Sequence, residues 1–201
     1  MSALIAFILG ILLALFGIAG LAAYEDEQGG GSSQSCIVAD DGVERCGPTK
    51  TENGYEVPNG GQVIRSFVHT GPISPEFQEG YEIIVDTDGT ITIIETPPGA
   101  SSDLAQSERT ADVIVRTEAI GAAGVQELLT DLELCSYYFL PQAREFGDED
   151  MPVGGSVSTL EVQLEDGTWE VSDALLGGMD TVNFESCQEQ LANRFGVVAP
   201  S

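Results

Sequence analysis

Four cysteines, one histidine and a large surplus of carboxylates are the residues of this chain whose chemistry could reach beyond packing. Cys36, Cys46, Cys135 and Cys187 form an even set behind an export-type N-terminus, a combination that predicts two disulfides. Proximity along the chain favours Cys36 with Cys46, which leaves Cys135 for Cys187. Zinc is the competing reading. It is opposed by the lack of a short C-x-x-C pair and by the single imidazole, His69. That histidine, in "SFVHTG", has no triad partners around it and reads as structural or exposed.

Other patterns that resemble chemistry have ordinary explanations. "GGSVS" is not the Gly-x-Ser-x-Gly of a nucleophile elbow. "DTDG", Asp86 to Gly89, lacks the glycine and glutamate spacing of a calcium loop and reads as a hairpin turn. "GDED" offers Asp148, Glu149 and Asp150 as weak candidates for a divalent cation, calcium above all; a solvated acidic loop is the plainer alternative. The "GGG" at 29–31 has no lysine and no following helix to make a phosphate loop. Tyr137, Tyr138, Phe139 and Trp169 read as core and rim. No cofactor is implied.

The charge narrows the partners. With 33 acids against 7 bases the formal charge is -26, and Lys50 is the sole lysine. Such a surface repels nucleic acid and excludes that class of function. It fits a basic protein partner, cations, or solubility in a salty medium where screening weakens repulsion.

Residues 2–23 carry no charged side chain. As a helix they would be about 33 Å long, enough for a hydrocarbon core of about 30 Å. The absence of a basic n-region favours a retained transmembrane anchor, residues 1–24, over a cleaved signal, although Gly20-Leu21-Ala22 is a tolerable cleavage site. No cysteine ends the apolar run, which argues against lipidation. Ala3, Gly10, Ala14 and Gly17 form a small-residue face where another helix could approach. The acids that follow, Glu25 to Glu27, fit a domain outside the cytoplasm: periplasmic or extracellular, on a single-pass membrane protein.

Residues 25–61, with "EDEQGGGSSQS" and many turn formers, read as a flexible acidic tether carrying a small disulfide loop. Patterned sequence occupies 62–201. "GQVIRSFVH" opens it. "GYEIIVDTDGTITIIE" alternates Tyr81, Ile83 and Val85 on one arm and Ile91 and Ile93 on the other, around Asp88-Gly89, which predicts a hairpin. "TADVIVRTE" reads as a further strand. Val125, Leu128, Leu129 and Leu132 then fall on one helical face. "STLEVQLEDGTWEV" gives a second hairpin turning at Asp166-Gly167, and "NFESCQEQLANRFG" a second helix, with Ser186 and Glu189 at capping-box spacing and Gly196 as its stop. The expected fold class is α+β: a single N-terminal transmembrane helix, then an antiparallel sheet of hairpins with two helices on one face. A Cys135–Cys187 bridge would pin those helices together.

At "GYEIIVDTDGTITII", "GVQELLTDLELCSYYFLP" and "STLEVQLEDGTWEV" the chain resembles small exported bacterial α+β domains of unknown function, over about 62–196. In them a strand pair with an Asp-Gly turn precedes a helix ending in an aromatic-leucine knot, and a second hairpin follows. The resemblance implies an α+β fold and no catalytic residues.

The expectation from all this is a membrane-anchored, extracytoplasmic, non-enzymatic interaction domain, an accessory or structural subunit of an envelope complex. Its partner would be a protein, through another transmembrane helix or a basic surface. The alternative is a secreted inhibitor or a ligand- or cation-binding module released by cleavage.

Overall fold

The computed structural model describes residues 24–25, 32–70, 74–101, 103–145 and 157–198. Residues 2–23, with Ala3, Gly10, Ala14 and Gly17, lie outside them, as do Asp148, Glu149 and Asp150. No helix among the described residues is long and apolar enough to cross a membrane.

Eleven strands form three sheets among the described residues. In the smallest elements, β1 (Tyr24–Glu25), β2 (Ser35–Val38) and β3 (Glu44–Cys46) make one sheet, and β4 (Lys50–Thr51) and β5 (Gly54–Tyr55) a two-stranded one. The main sheet is wholly antiparallel and contains β6 (Gln62–His69), β7 (Gly80–Asp86), β8 (Thr90–Thr96), β9 (Ile114–Ala119), β10 (Val157–Leu164) and β11 (Gly167–Ser172). Its spatial order is β11-β10-β6-β7-β8-β9, so the second hairpin joins beside β6 and leaves β9 and β11 as edges.

Period-two alternation decides which face is dry. Tyr81, Ile83, Val85, Ile91, Ile93, Leu160, Val162, Trp169 and Val171 point inward and are buried. Two helices cover them: α1 (Gly121–Leu134) and α2 (Met179–Arg194). Val125, Leu128, Leu129 and Leu132 of α1 join Phe184, Cys187, Leu191 and Ala192 of α2 in the same apolar cluster. The α+β class with an antiparallel sheet and helices on one face is therefore what the chain adopts.

Three local details depart from the sequence reading. The first hairpin turns through three residues, with Gly89 alone at positive φ (+82°) and its N–H bonded to the Asp86 carbonyl. The second turns through Glu165 and Asp166, because Leu164 pairs with Gly167 and that glycine starts β11. Finally, α2 begins at Met179, two turns earlier than the capping-box spacing implied, so Ser186 and Glu189 sit inside the helix. Its end is as expected: Gly196 takes φ +63°, and the Val197 N–H bonds back to the Ala192 carbonyl.

The segment read as tether makes contacts that its composition did not announce. Tyr55 enters the core, and Gln126 of α1 clamps its backbone reciprocally, Oε1 accepting from the Tyr55 N–H at 2.8 Å and Nε2 donating to its carbonyl at 2.9 Å. The Glu165 N–H likewise donates to the Glu56 carbonyl.

Gly89 fixes the start of α1. A β-carbon there would lie 2.4 Å from the Gly121 nitrogen, and the Ile120 N–H donates to the Gly89 carbonyl. Gly89→Ala combines a left-handed backbone with a clash against main chain. It is expected to cost about 3 kcal/mol of stability, read as a fall in denaturation midpoint, whereas Gly42→Ala, also at positive φ but in open space, should cost less.

Candidate functional site

Two regions collect the residues that could do more than hold the fold. The first lies where the disulfide loop meets the domain. Cys36 and Cys46 are directly opposed on β2 and β3 and are bridged. Cys135, which caps α1, is bridged to Cys187 in α2. No free cysteine remains among the described residues. Glu44 stands beside Cys36 and Cys46 at a spacing that could suit a metal, but the bridge has consumed both sulfurs as thiolate ligands.

Beside that loop Arg45 is only 6% exposed and is held by two carboxylates: Asp41 at 2.7 Å and Glu145 at 2.7 Å. Burial opposes ionisation of Glu145, yet hydrogen bonds from Arg45 and from the Gln142 N–H outweigh it and hold its carboxyl below the usual range. Arg45 is correspondingly raised, first through its bond to Glu145. Lys50 makes the second contact, with Nζ 2.8 Å from Glu133 of α1 and 5.1 Å from the centre of the Tyr55 ring. The Tyr55 hydroxyl donates to the same carboxylate at 2.7 Å. Burial again opposes ionisation of Glu133, and the bonds from Lys50 and Tyr55 again prevail, leaving it lowered.

A cavity of about 430 Å³ opens here, lined by Glu44, Arg45, Gln142, Arg144, Asp166 and Trp169 among others. Gln142 is 2% exposed; its Nε2 donates to the Leu140 carbonyl at 2.7 Å, which fixes the amide, and its Oε1 has no partner among the described residues. Under the cavity Tyr138 stacks edge-on against Trp169 and Tyr137, and the Tyr137 hydroxyl is shared between the carbonyls of Leu160 and Trp169. These aromatics are core, as their pattern implied.

The second region is the sheet face away from the helices, and its β9 rim. Across it run Ser172, Thr159, Phe67, Glu82, Ile94 and Val115, aligned by register, with Glu170, Glu161, Arg65, Ile84, Thr92 and Thr117 alongside. Arg65 pairs there with Glu82 at 2.6 Å, and His69 stacks on Phe67 with ring centres 6.0 Å apart. At the rim Val113, Ile114 and Val115 are 43%, 53% and 61% exposed. Arg116, half-buried, bonds Glu95, Glu118 and the Phe195 carbonyl, and so ties β9 to the end of α2. Among the described residues no strand pairs with the outer edge of β9.

Sequence reasoning brought out the four cysteines, which the structure joins in two pairs, and His69, which lies on the open face. It missed Arg45, Glu145, Lys50, Glu133, Gln142 and the β9 rim. Scarcity was the available signal: in so acidic a chain each base has many suitors, and a burying contact is a natural use for it. The Asp88 carboxylate, considered for calcium, accepts the Thr90 N–H at 2.8 Å and closes the hairpin.

No family model matches the chain, and no curated protein matches it.

Both lowered carboxyls, Glu133 and Glu145, bind protons more weakly in the folded state than in the unfolded chain. The stability they confer is full above the ordinary carboxylate range and is lost as pH falls through their lowered values. Glu145→Gln should cost about 2 kcal/mol near pH 7, because it strips a buried guanidinium of one partner. Glu133→Gln should cost about 1 kcal/mol, its ion pair being part-exposed. Urea denaturation is expected to show both losses at pH 7 and their disappearance at a pH acid enough to protonate both carboxyls; equal losses under the two conditions would contradict the assignment.

Proposed function

We propose that the protein is a membrane-anchored, extracytoplasmic interaction domain without catalytic activity, serving as an accessory or structural subunit of an envelope protein complex. The observation that carries this reading is the rim of the main sheet. In a chain of charge -26, Ile114 and Val115 of an edge strand, with Val113 just before it, are exposed, and the strand's outer backbone is unpaired among the described residues. An open edge of this kind is a template for a further strand, and its charges, Arg116 and Glu118, are of opposite sign and so do not form a like-charged guard against one. Ser158 donates to Gln188, the cysteines are bridged, and His69 is stacked on a phenylalanine.

The anchor rests on the length and bareness of residues 2–23. Two disulfides are compatible with an oxidising, extracytoplasmic compartment. A second reading, a secreted ligand-binding module released by cleavage, draws on the cavity and on the Gln142 oxygen, which has no partner among the described residues.

Extraction in mild detergent followed by purification separates the two. The expected product is the uncleaved chain in a stable protein assembly. A chain beginning at Ala23 or Tyr24 would contradict the anchor, and an uncleaved chain recovered alone as a monomer would contradict the interaction role.

A further inference from the structure

The β9 rim also carries information about what it can pair with, and that information is in its order of side chains. On β9 the register with β8 sets Ile114, Arg116 and Glu118 on the helix-covered side, opposite Glu95, Ile93 and Ile91. Val115 and Thr117 lie on the open side, opposite Ile94 and Thr92. Arg116 and Glu118 are thus opposite charges two residues apart on one face, with Thr117 midway between them.

An antiparallel strand added to this edge brings its own side chains into line with these, one pair at a time. We propose that the occupant is the β9 of a second copy of this chain, paired about a twofold axis through Thr117. This rests on the interaction reading above and names its partner. In that register Arg116 faces Glu118 of the second copy and Glu118 faces its Arg116. Val115 faces Ala119 and Thr117 faces itself, while Ile120, the N-cap of α1, lies beyond the ladder. Every pair is matched: charge with opposite charge, apolar with apolar, threonine with threonine.

Neighbouring registers fail on the same criterion. A twofold through Arg116 sets two guanidiniums together and Ile114 against Glu118. One through Glu118 sets two carboxylates together. One through Val115 opposes Ile114 to Arg116 and Asp112 to Glu118. Like charges directly opposite are destabilising, so the pattern selects one alignment. The axis stands perpendicular to the sheet, as an isologous contact between antiparallel edges requires. The two sheets then continue as one of twelve strands, with both helix layers on one side and both open faces on the other.

Two physical terms oppose the pairing and both can be turned into observations. Each copy carries a charge of -26, so long-range repulsion weakens association at low ionic strength and salt relieves it. A basic partner would respond with the opposite sign. The ladder is also short, since β9 has six residues. Confinement of two anchored copies to one membrane supplies the effective concentration that a small interface needs.

Cysteine crosslinking of the full chain in vesicles of neutral lipid tests the register directly. The native cysteines are bridged, so an introduced thiol has no free native thiol among the described residues to react with. Facing residues of an antiparallel pair have α-carbons about 4.5–5.5 Å apart, within disulfide reach. Thr117→Cys alone, and Val115→Cys mixed with Ala119→Cys, are expected to give covalent dimers on mild oxidation. Both should form faster by roughly tenfold or more than dimers of Val115→Cys alone, whose thiols would lie four residues out of register. Added sodium chloride should speed the reaction. Failure of both pairs to crosslink overturns the proposal, as does crosslinking of Val115→Cys alone at an equal rate. If crosslinking fails while a different protein co-purifies with the chain, self-pairing falls and the interaction role stands; recovery of a lone monomer ends both.

Discussion

The main sheet has to be dry on one side and wet on the other, and most of the molecule follows from that constraint. Strict alternation in β7, β8 and β10 assigns each residue to a face, and a slip of one position would expose Ile83, Val85, Ile91 and Ile93 together. The dry face needs a cover, which α1 and α2 provide, and their bridge at Cys135 and Cys187 ties the two into a single layer. Gly89 sets where that layer begins, since only a residue without a β-carbon lets the first hairpin turn touch the helix start. Among the described residues, the uncovered face and the unpaired β9 rim are the complement of the same arrangement.

A shortage of positive charge shapes how the remaining parts attach. Arg45 and Lys50 draw the N-terminal loop onto the domain through Glu145 and Glu133, Arg116 holds β9 to the end of α2, and Arg194 of α2 reaches Glu127 and Asp131 of α1. In each case a base joins elements far apart in sequence. Exposed pairs such as those of Arg194 contribute little stability individually. Arg45 differs because it is buried between two carboxylates and cannot lose one without consequence.

Much of the fold was legible because period and punctuation are local signals. The alternation around Asp88-Gly89, the helical spacing of Val125 to Leu132 and the stop at Gly196 depend on residues near one another. Proximity likewise selects Cys36 and Cys46 for a short loop. The docking of residues 32–56 was not legible, since Tyr55, Lys50 and Arg45 find partners about 70 to 100 residues away and nothing in their neighbourhood marks them. The early start of α2 was hidden because no capping side chain marks it: Gly178 holds the N-cap position and no side-chain hydrogen bond closes the first turn. The β9 rim was readable as a strand, whereas its place at an edge depends on β10 joining beside β6 at the far side of the sheet.

If a second copy adds at the outer edge of β9, unpaired among the described residues, the backbone amides of that edge become protected on association. Amide hydrogen exchange of the full chain in membranes measures it most directly, at low and high surface density. The segment 115–119 is expected to gain protection as density rises, more so at high salt, while the opposite edge, 167–172, stays unchanged. Exchange in 115–119 that is indifferent to density, or protection gained at some other surface instead, would contradict it.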